Sequence, residues 1–272
     1  MPRFAGQAAF ISGAARGQGR AHAIAFAKEG ADVAIFDICA KLPTTAYEGA
    51  TREDLQETVK ACEAEGVTVV AEVVDVRDAA AVATFAERAL AELGKIDIVV
   101  ANAGILHNIP VAEMDPESFA EVVDVNLKGV FNTIRPVLPG MIERGYGRVI
   151  ATGSIASIRG FENLGHYVAS KHGVAGLMKS IARECGRYGI TANYVVPNTV
   201  NTTMIQNPAV WALVSPDDPT AEGMGRVFAG SNGIPEPWIE PEDVSKMVLF
   251  AASPEAAATT GTALKVDLGA TI

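Results

Sequence analysis

The sequence predicts an α/β fold built on a parallel sheet, and three observations carry that expectation. Short β-branched and apolar runs alternate with longer stretches of helical period, which is the rhythm of successive βαβ units. Most of the strand runs are apolar at consecutive positions, as strands covered by helices on both faces must be. A glycine-rich turn, Ser12-Gly13-Ala14-Ala15-Arg16-Gly17-Gln18-Gly19, joins the first strand to the first helix. The 272 residues allow one large domain or two small ones. No repeat or low-complexity tract divides them, and a single domain over 1–272 is expected.

Taken in order, strands are expected over residues 7–12, 32–37, 68–74, 96–101, 147–152, 191–196 and 263–266. Between them, helical period predicts helices over 19–29, 53–65, 78–93, 115–143, 164–188 and 241–252. Asp115-Pro116 and Glu240-Pro241 are start signals, because a first-turn proline gives up an N–H that has no partner anyway. Two stretches break the rhythm. Residues 38–52 carry Pro43, Thr44, Thr45 and Gly49 without a usable period, and exceed the usual ~2–6 residues of a βα loop. Residues 198–240 hold Pro208, Pro216, Pro219, Pro235 and Pro237 beside Met204, Ile205, Val210, Trp211 and Trp238. A long irregular segment with so many large apolar groups reads as a lid over a ligand.

Composition narrows the partners. The chain has 22 Lys and Arg against 32 Asp and Glu, a formal charge of −10, with no basic run. Nucleic acid and anionic membrane both need a basic footprint, so a small molecule is the expected partner. No apolar stretch reaches the ~18 residues of a membrane span, and no signal-peptide region is evident. Cys39, Cys62 and Cys185 form no CxxC pair and read as packing residues, which suits a reducing cytoplasm and gives no metal site.

Chemistry enters first at the glycine turn. Glycines let backbone N–H groups approach a pyrophosphate, and the helix N-terminus adds partial positive charge. The second strand ends in Asp37, 18 residues after Gly19, where a carboxylate can accept hydrogen bonds from an adenosine ribose. Gly13, Arg16, Gly17, Gln18, Gly19, Asp37 and Ile38 are therefore the expected nucleotide contacts. A carboxylate facing a 2′-phosphate would be a like-charge contact, so NAD is favoured over NADP. Arg16 argues the other way, since a guanidinium in the glycine loop can pair with a phosphate.

Farther along, Tyr167-Val168-Ala169-Ser170-Lys171 places a phenol and an ammonium on one helical face. A buried ammonium lowers a phenol pKa from ~10 by favouring the phenolate, which makes an acid/base catalyst. Ser154 lies 13 residues upstream after the fifth strand, where its hydroxyl can hold an alcohol or carbonyl oxygen beside the phenol. A Ser154 nucleophile is disfavoured, because Gly153-Ser154-Ile155 lacks the Gly-x-Ser-x-Gly elbow. His166 and His172 have no metal spacing and are expected on the helix surface or against the lid.

Gly13, Gly17 and Gly19, with Asp75-Val76, Asn102-Ala103-Gly104, Asn126, Ser154, Tyr167 and Lys171, resemble the short-chain dehydrogenase/reductase family in its usual order. The resemblance implies a Rossmann-type doubly wound sheet in order 3-2-1-4-5-6-7 and a catalytic set of Asn126, Ser154, Tyr167 and Lys171. It implies that Lys171 also binds the nicotinamide ribose, that Asn126 holds a relay water, and that Asp75 and Val76 meet the adenine. Asn102, Ala103 and Gly104 would line the cofactor cleft, with Pro197, Val200 and Thr202 toward the nicotinamide. The family's Pro-Gly-x-Val-x-Thr here reads Pro197-Asn198-Thr199-Val200-Asn201-Thr202, with Asn198 expected to tolerate a left-handed turn.

Narrower likeness comes from Asp37-Ile38-Cys39-Ala40, residues 43–47 and 50–55, the residues flanking Tyr167, and Asn207-Pro208-Ala209-Val210. These resemble the carveol dehydrogenase-like, mycofactocin-coupled subfamily. That resemblance implies NAD held without free exchange, oxidation of secondary alicyclic or terpenoid alcohols, and a small redox acceptor. A homotetramer built partly on the helix carrying Gly173, Ala175 and Gly176 is also implied. An NADPH ketoreductase and a non-catalytic dinucleotide-binding protein are the alternatives. Asp37 weighs against the first, and the complete catalytic set against the second.

Overall fold

The apolar runs become strands with almost no solvated position. In a computed structural model describing residues 2–272, β1 (Ala8–Ser12), β4 (Ile98–Ala101), β5 (Gly147–Thr152) and β6 (Ile190–Pro197) are buried at every residue. With β2 (Asp32–Asp37), β3 (Val69–Val73) and β7 (Ala263–Val266) they form one seven-stranded sheet in order β3-β2-β1-β4-β5-β6-β7. Every pairing is parallel, with Ala9 opposite both Val33 and Ile98. The sheet is the predicted Rossmann-type arrangement.

Alternate residues of each strand feed two cores. Phe10 packs with Phe36 and Phe85 on one face, at ring-centroid distances of 5.1 to 5.5 Å. Ile11, its neighbour, joins Phe4 and Phe26 on the other. Strand order reverses between β1 and β4, so their carboxyl ends diverge and leave the crevice in which open α/β sheets bind ligands.

Helices follow their start signals. They are α1 (Gly17–Lys28), α2 (Arg52–Glu63), capped reciprocally by Thr51 and Asp54, and α3 (Ala79–Leu93), capped by Asp78. Asp115 caps α4 (Pro116–Val123), but the helix expected over 115–143 is not continuous. A π-turn at Asp124–Lys128 leads into α5 (Gly129–Ile134), and α6 (Leu138–Arg144) starts afresh. Pro136 explains the break, since it has no N–H for the ladder and its ring clashes with the preceding turn. The catalytic-face helix α7 (Gly165–Cys185) ends before the expected 188, in a 3-10 turn closed by Gly189 at φ 72°.

Residues 198–240 are less irregular than expected. Asn207 and Thr220 cap α8 (Pro208–Val214) and α9 (Ala221–Ser231), and α10 (Pro241–Ala252) follows. Residues 38–51 stay without helix or strand, but they are anchored. The Thr44 N–H donates to Glu121 Oε2 at 3.2 Å and its hydroxyl donates to the same oxygen. Arg16 donates to the Glu48 carbonyl, and Arg77 holds Glu121 Oε1 at 3.2 Å.

Candidate active site

One cavity of about 430 Å³ runs along the carboxyl ends of β1, β2, β4, β5 and β6, under the 38–51 segment and the lid. Its first end is the glycine turn. Gly13 has φ +66°, and a Cβ there would stand 2.7 Å from the Ala103 Cα. Gly19 does not line the cavity. It closes the turn, because a Cβ on it would lie 2.0 Å from the Gly13 carbonyl oxygen. The α1 N-terminus has no side-chain cap and no acidic residue in its first turn, so its N–H groups are open to an anion. Gln18 lines the cavity, and its buried Oε1 has no partner among the described residues.

Asp37 is 9% exposed, its Oδ2 accepting from Ala15 N and its Oδ1 from Cys39 N, each at 3.1 Å. Desolvation raises its pKa, opposed by those N–H groups. Ile38, Asp75 and Val76 continue this wall. Arg16 also lines it, but the Glu48 carbonyl holds its guanidinium, which draws it to the insertion instead of leaving it free for a phosphate.

Asn102 stitches β4 to the turn, donating to the Ser12 and Gly13 carbonyls at 3.2 Å each. Ser12 Oγ accepts from the N–H groups of Asn102 and Ala103. Ala103, Gly104, Pro197, Val200 and Thr202 lie along the same cavity, with Thr202 packed beside Gly17. Asn198 avoids the left-handed conformation expected of it. The Asn198 backbone instead pairs with the Val266 carbonyl, and its amide donates to Asn232 Oδ1 at 2.8 Å.

Ser154, Tyr167 and Lys171 meet at the other end. Ser154 caps the 3-10 turn after β5, its Oγ accepting from Ala156 N at 3.1 Å, and its hydroxyl acts to lower the Tyr167 pKa. Lys171 Nζ donates to the Thr152 carbonyl at 2.7 Å and stands 5.6 Å from the Tyr167 ring centre. Burial lowers the Lys171 ammonium to about 8. It also raises the Tyr167 phenol above its ordinary value, so the expected net lowering is overturned by desolvation, with the Ser154 hydroxyl acting against it. Asn126 is fully buried behind the wall instead of lining it. Its Oδ1 accepts from Ile105 N at 2.8 Å and its Nδ2 donates to the Ile105 carbonyl at 2.9 Å. The side chain thereby ties its helix to the loop after β4, and its Nδ2 also donates to Ser170 Oγ at 3.4 Å.

Residues 7–211 match the short chain dehydrogenase family. The chain belongs to that family. This short-chain dehydrogenase is 40% identical to the (-)-trans-carveol dehydrogenase of Rhodococcus erythropolis across the full length of both chains. It superposes with a TM-score of 0.97 on carveol dehydrogenase from Mycobacterium avium in complex with NAD, at 38% identity and 99% coverage of each chain. A short chain dehydrogenase from Mycobacterium paratuberculosis bound to NAD gives 0.91, also at 38% identity and 99% coverage.

Some of what this dehydrogenase builds into the cavity escapes sequence reading. His166 is not on the surface. It is fully buried, its Nδ1 accepting from the Tyr167 N–H at 2.9 Å and its ring 5.9 Å from that of His107. Burial and His107 both lower its pKa. Of the lid residues, Met204, Ile205 and Val210 line the cavity, whereas Trp211 and Trp238 do not. Tyr47, Phe161, Leu164 and Phe228 line it without any motif to announce them. Among the described residues no helix is long and apolar enough to cross a membrane.

Proposed function

We propose that the protein is an NAD-dependent dehydrogenase that oxidises a secondary, alicyclic or terpenoid alcohol to its ketone. The observation that carries this reading is the convergence of Ser154, Tyr167 and Lys171 at one end of a cavity whose other end is an uncapped helix N-terminus beside buried Asp37. NAD suits that second end, with its pyrophosphate on the Gly13 to Gly17 turn and its ribose hydroxyls on Asp37. When bound, NAD supplies the two-electron acceptor for the carbinol C–H. Tyr167 takes the hydroxyl proton, Ser154 holds the oxygen, and the Lys171 ammonium stabilises the phenolate and meets the nicotinamide ribose. Asn126 supports the set through the loop after β4.

Apolar Ile105, Leu164, Met204, Val210 and Leu213 along the cavity support an alicyclic substrate. The anchored 38–51 segment supports a nucleotide that does not exchange freely, with a small mycofactocin-type acceptor taking the electrons. Exposed Phe119 and Phe131, with open space at Gly176, support a homotetramer through α4, α5 and α7. The reading also places the protein in the cytoplasm. The test is a screen of secondary alcohols with free NAD, free NADP and an artificial electron acceptor, in which no turnover under any condition would overturn it.

Cofactor choice tests Asp37 directly. Asp37→Asn is expected to weaken NAD and relieve the conflict with a 2′-phosphate, narrowing the NAD over NADP ratio of kcat/KM by about tenfold, the scale of one charged hydrogen bond. An unchanged ratio would move selectivity to Arg16 or the insertion.

A further inference from the structure

Tyr47 belongs to the 38–51 segment that follows Asp37, and its phenol reaches the loop after β4. It lines the main cavity beside the catalytic end and also a side chamber of about 240 Å³. The two spaces share Tyr47, Leu106, Asn108, Met204, Val210 and Leu213, so the segment, the loop after β4 and the lid helix α8 enclose them jointly. Tyr47 and Asn108 are the polar side chains in that shared wall. The rest is apolar. The Tyr47 oxygen accepts from Leu106 N at 3.3 Å, and among the described residues no protein acceptor takes its own proton. Burial, with the Tyr167 phenol acting in the same sense, pushes the Tyr47 phenol up to about 12. It therefore stays a donor at every working pH.

We propose that Tyr47 is a substrate-positioning residue whose O–H, with Asn108 beside it, receives a second oxygen on an alicyclic substrate, remote from the carbinol carbon. This rests on the dehydrogenase reading above. A half-buried donor with no protein acceptor favours ligands that satisfy it and discriminates against those that leave it unpaired. The insertion thus reaches from the nucleotide end to the substrate end, and its closure completes both.

The test compares 4-hydroxycyclohexanone with 4-methylcyclohexanone, which differ by a hydroxyl against a methyl of similar size. Kd is measured by calorimetry on protein saturated with NADH, and kcat and KM are followed in the reduction direction. In wild type the hydroxy ketone is expected to bind more tightly. Tyr47→Phe should reduce that preference three- to tenfold in both the Kd ratio and the kcat/KM ratio, with the change residing in KM, as one neutral hydrogen bond requires. A wild type that discriminates, together with a Tyr47→Phe variant whose ratio is unchanged, would overturn the role of Tyr47 alone. A wild type that binds neither ketone and oxidises no secondary alcohol would overturn the dehydrogenase reading and this one with it.

Discussion

Tyr167→Phe should lower turnover of a secondary alcohol by about 10² or more while leaving nucleotide affinity nearly unchanged. The substitution removes one oxygen and keeps the ring, so the cavity wall survives and only the proton acceptor is lost. Ser154 cannot replace it, because a serine hydroxyl has no accessible anionic form, and the Lys171 ammonium has no lone pair while charged. The pH profile gives an independent readout. Oxidation needs the phenolate, and burial raises the Tyr167 pKa, so kcat/KM for oxidation should climb as pH rises through neutrality. Lys171, lowered to about 8, is charged below that pH and loses its charge above it, so its help to the phenolate fades as the climb proceeds. In Tyr167→Phe the climb should vanish along with the rate. A variant with near-normal turnover would sink the mechanism. Lys171→Ala should lose both activity and nucleotide affinity.

How much of this was legible in the sequence depended on the range of the interaction that decides it. The sheet was legible, because β1, β4, β5 and β6 are buried on both faces and their sequences had to be apolar throughout. Ser154, Tyr167 and Lys171 were legible as a group because a strand end and an i, i+4 helical spacing place them. The interruption at Pro136 was also written in the chain, but the apolar period on either side masked it. Three features were not legible. The inward turn of His166 depends on the loop bearing His107, more than fifty residues away in sequence. That the Asn126 side chain holds Ile105 depends on a π-turn, which leaves no distinctive period. Tyr47 lies in a segment with no period at all, and its direction follows from anchors at Glu121 and Leu106 that pattern cannot pair with it.

Shortening residues 38–50 to a tight turn, with the Thr51 cap of α2 retained, should convert a retained nucleotide into a freely exchanging one. Three sets of contacts hold the segment closed: Thr44 on the half-buried Glu121 carboxylate, Arg16 on the Glu48 carbonyl, and Leu106 N–H on Tyr47. Two of them involve a charged group. At roughly 0.5–1.5 kcal/mol for a neutral hydrogen bond and ~1.5–3 for a charged one, opening costs about 3 kcal/mol or more. Release of NAD from beneath the segment requires that opening, and ~1.4 kcal/mol corresponds to a factor of ten. The shortened variant should therefore lose nucleotide about 10² times faster than wild type. Glu121→Gln, which keeps the shape and removes the charge that draws Thr44 and Arg77 together, should move the rate part of the way and guards against a deletion that fails to fold. The measurement is the nucleotide released on denaturing exhaustively dialysed protein, followed by the decay of bound NADH fluorescence under a chase of excess NAD. Wild type is expected to come through dialysis loaded, to turn over slowly with added NAD, and to pass electrons from alcohol to a small redox dye. Wild type that emerges free of nucleotide and oxidises alcohol rapidly with free NAD would leave the segment as a wall of the substrate pocket and remove its role as a cofactor latch.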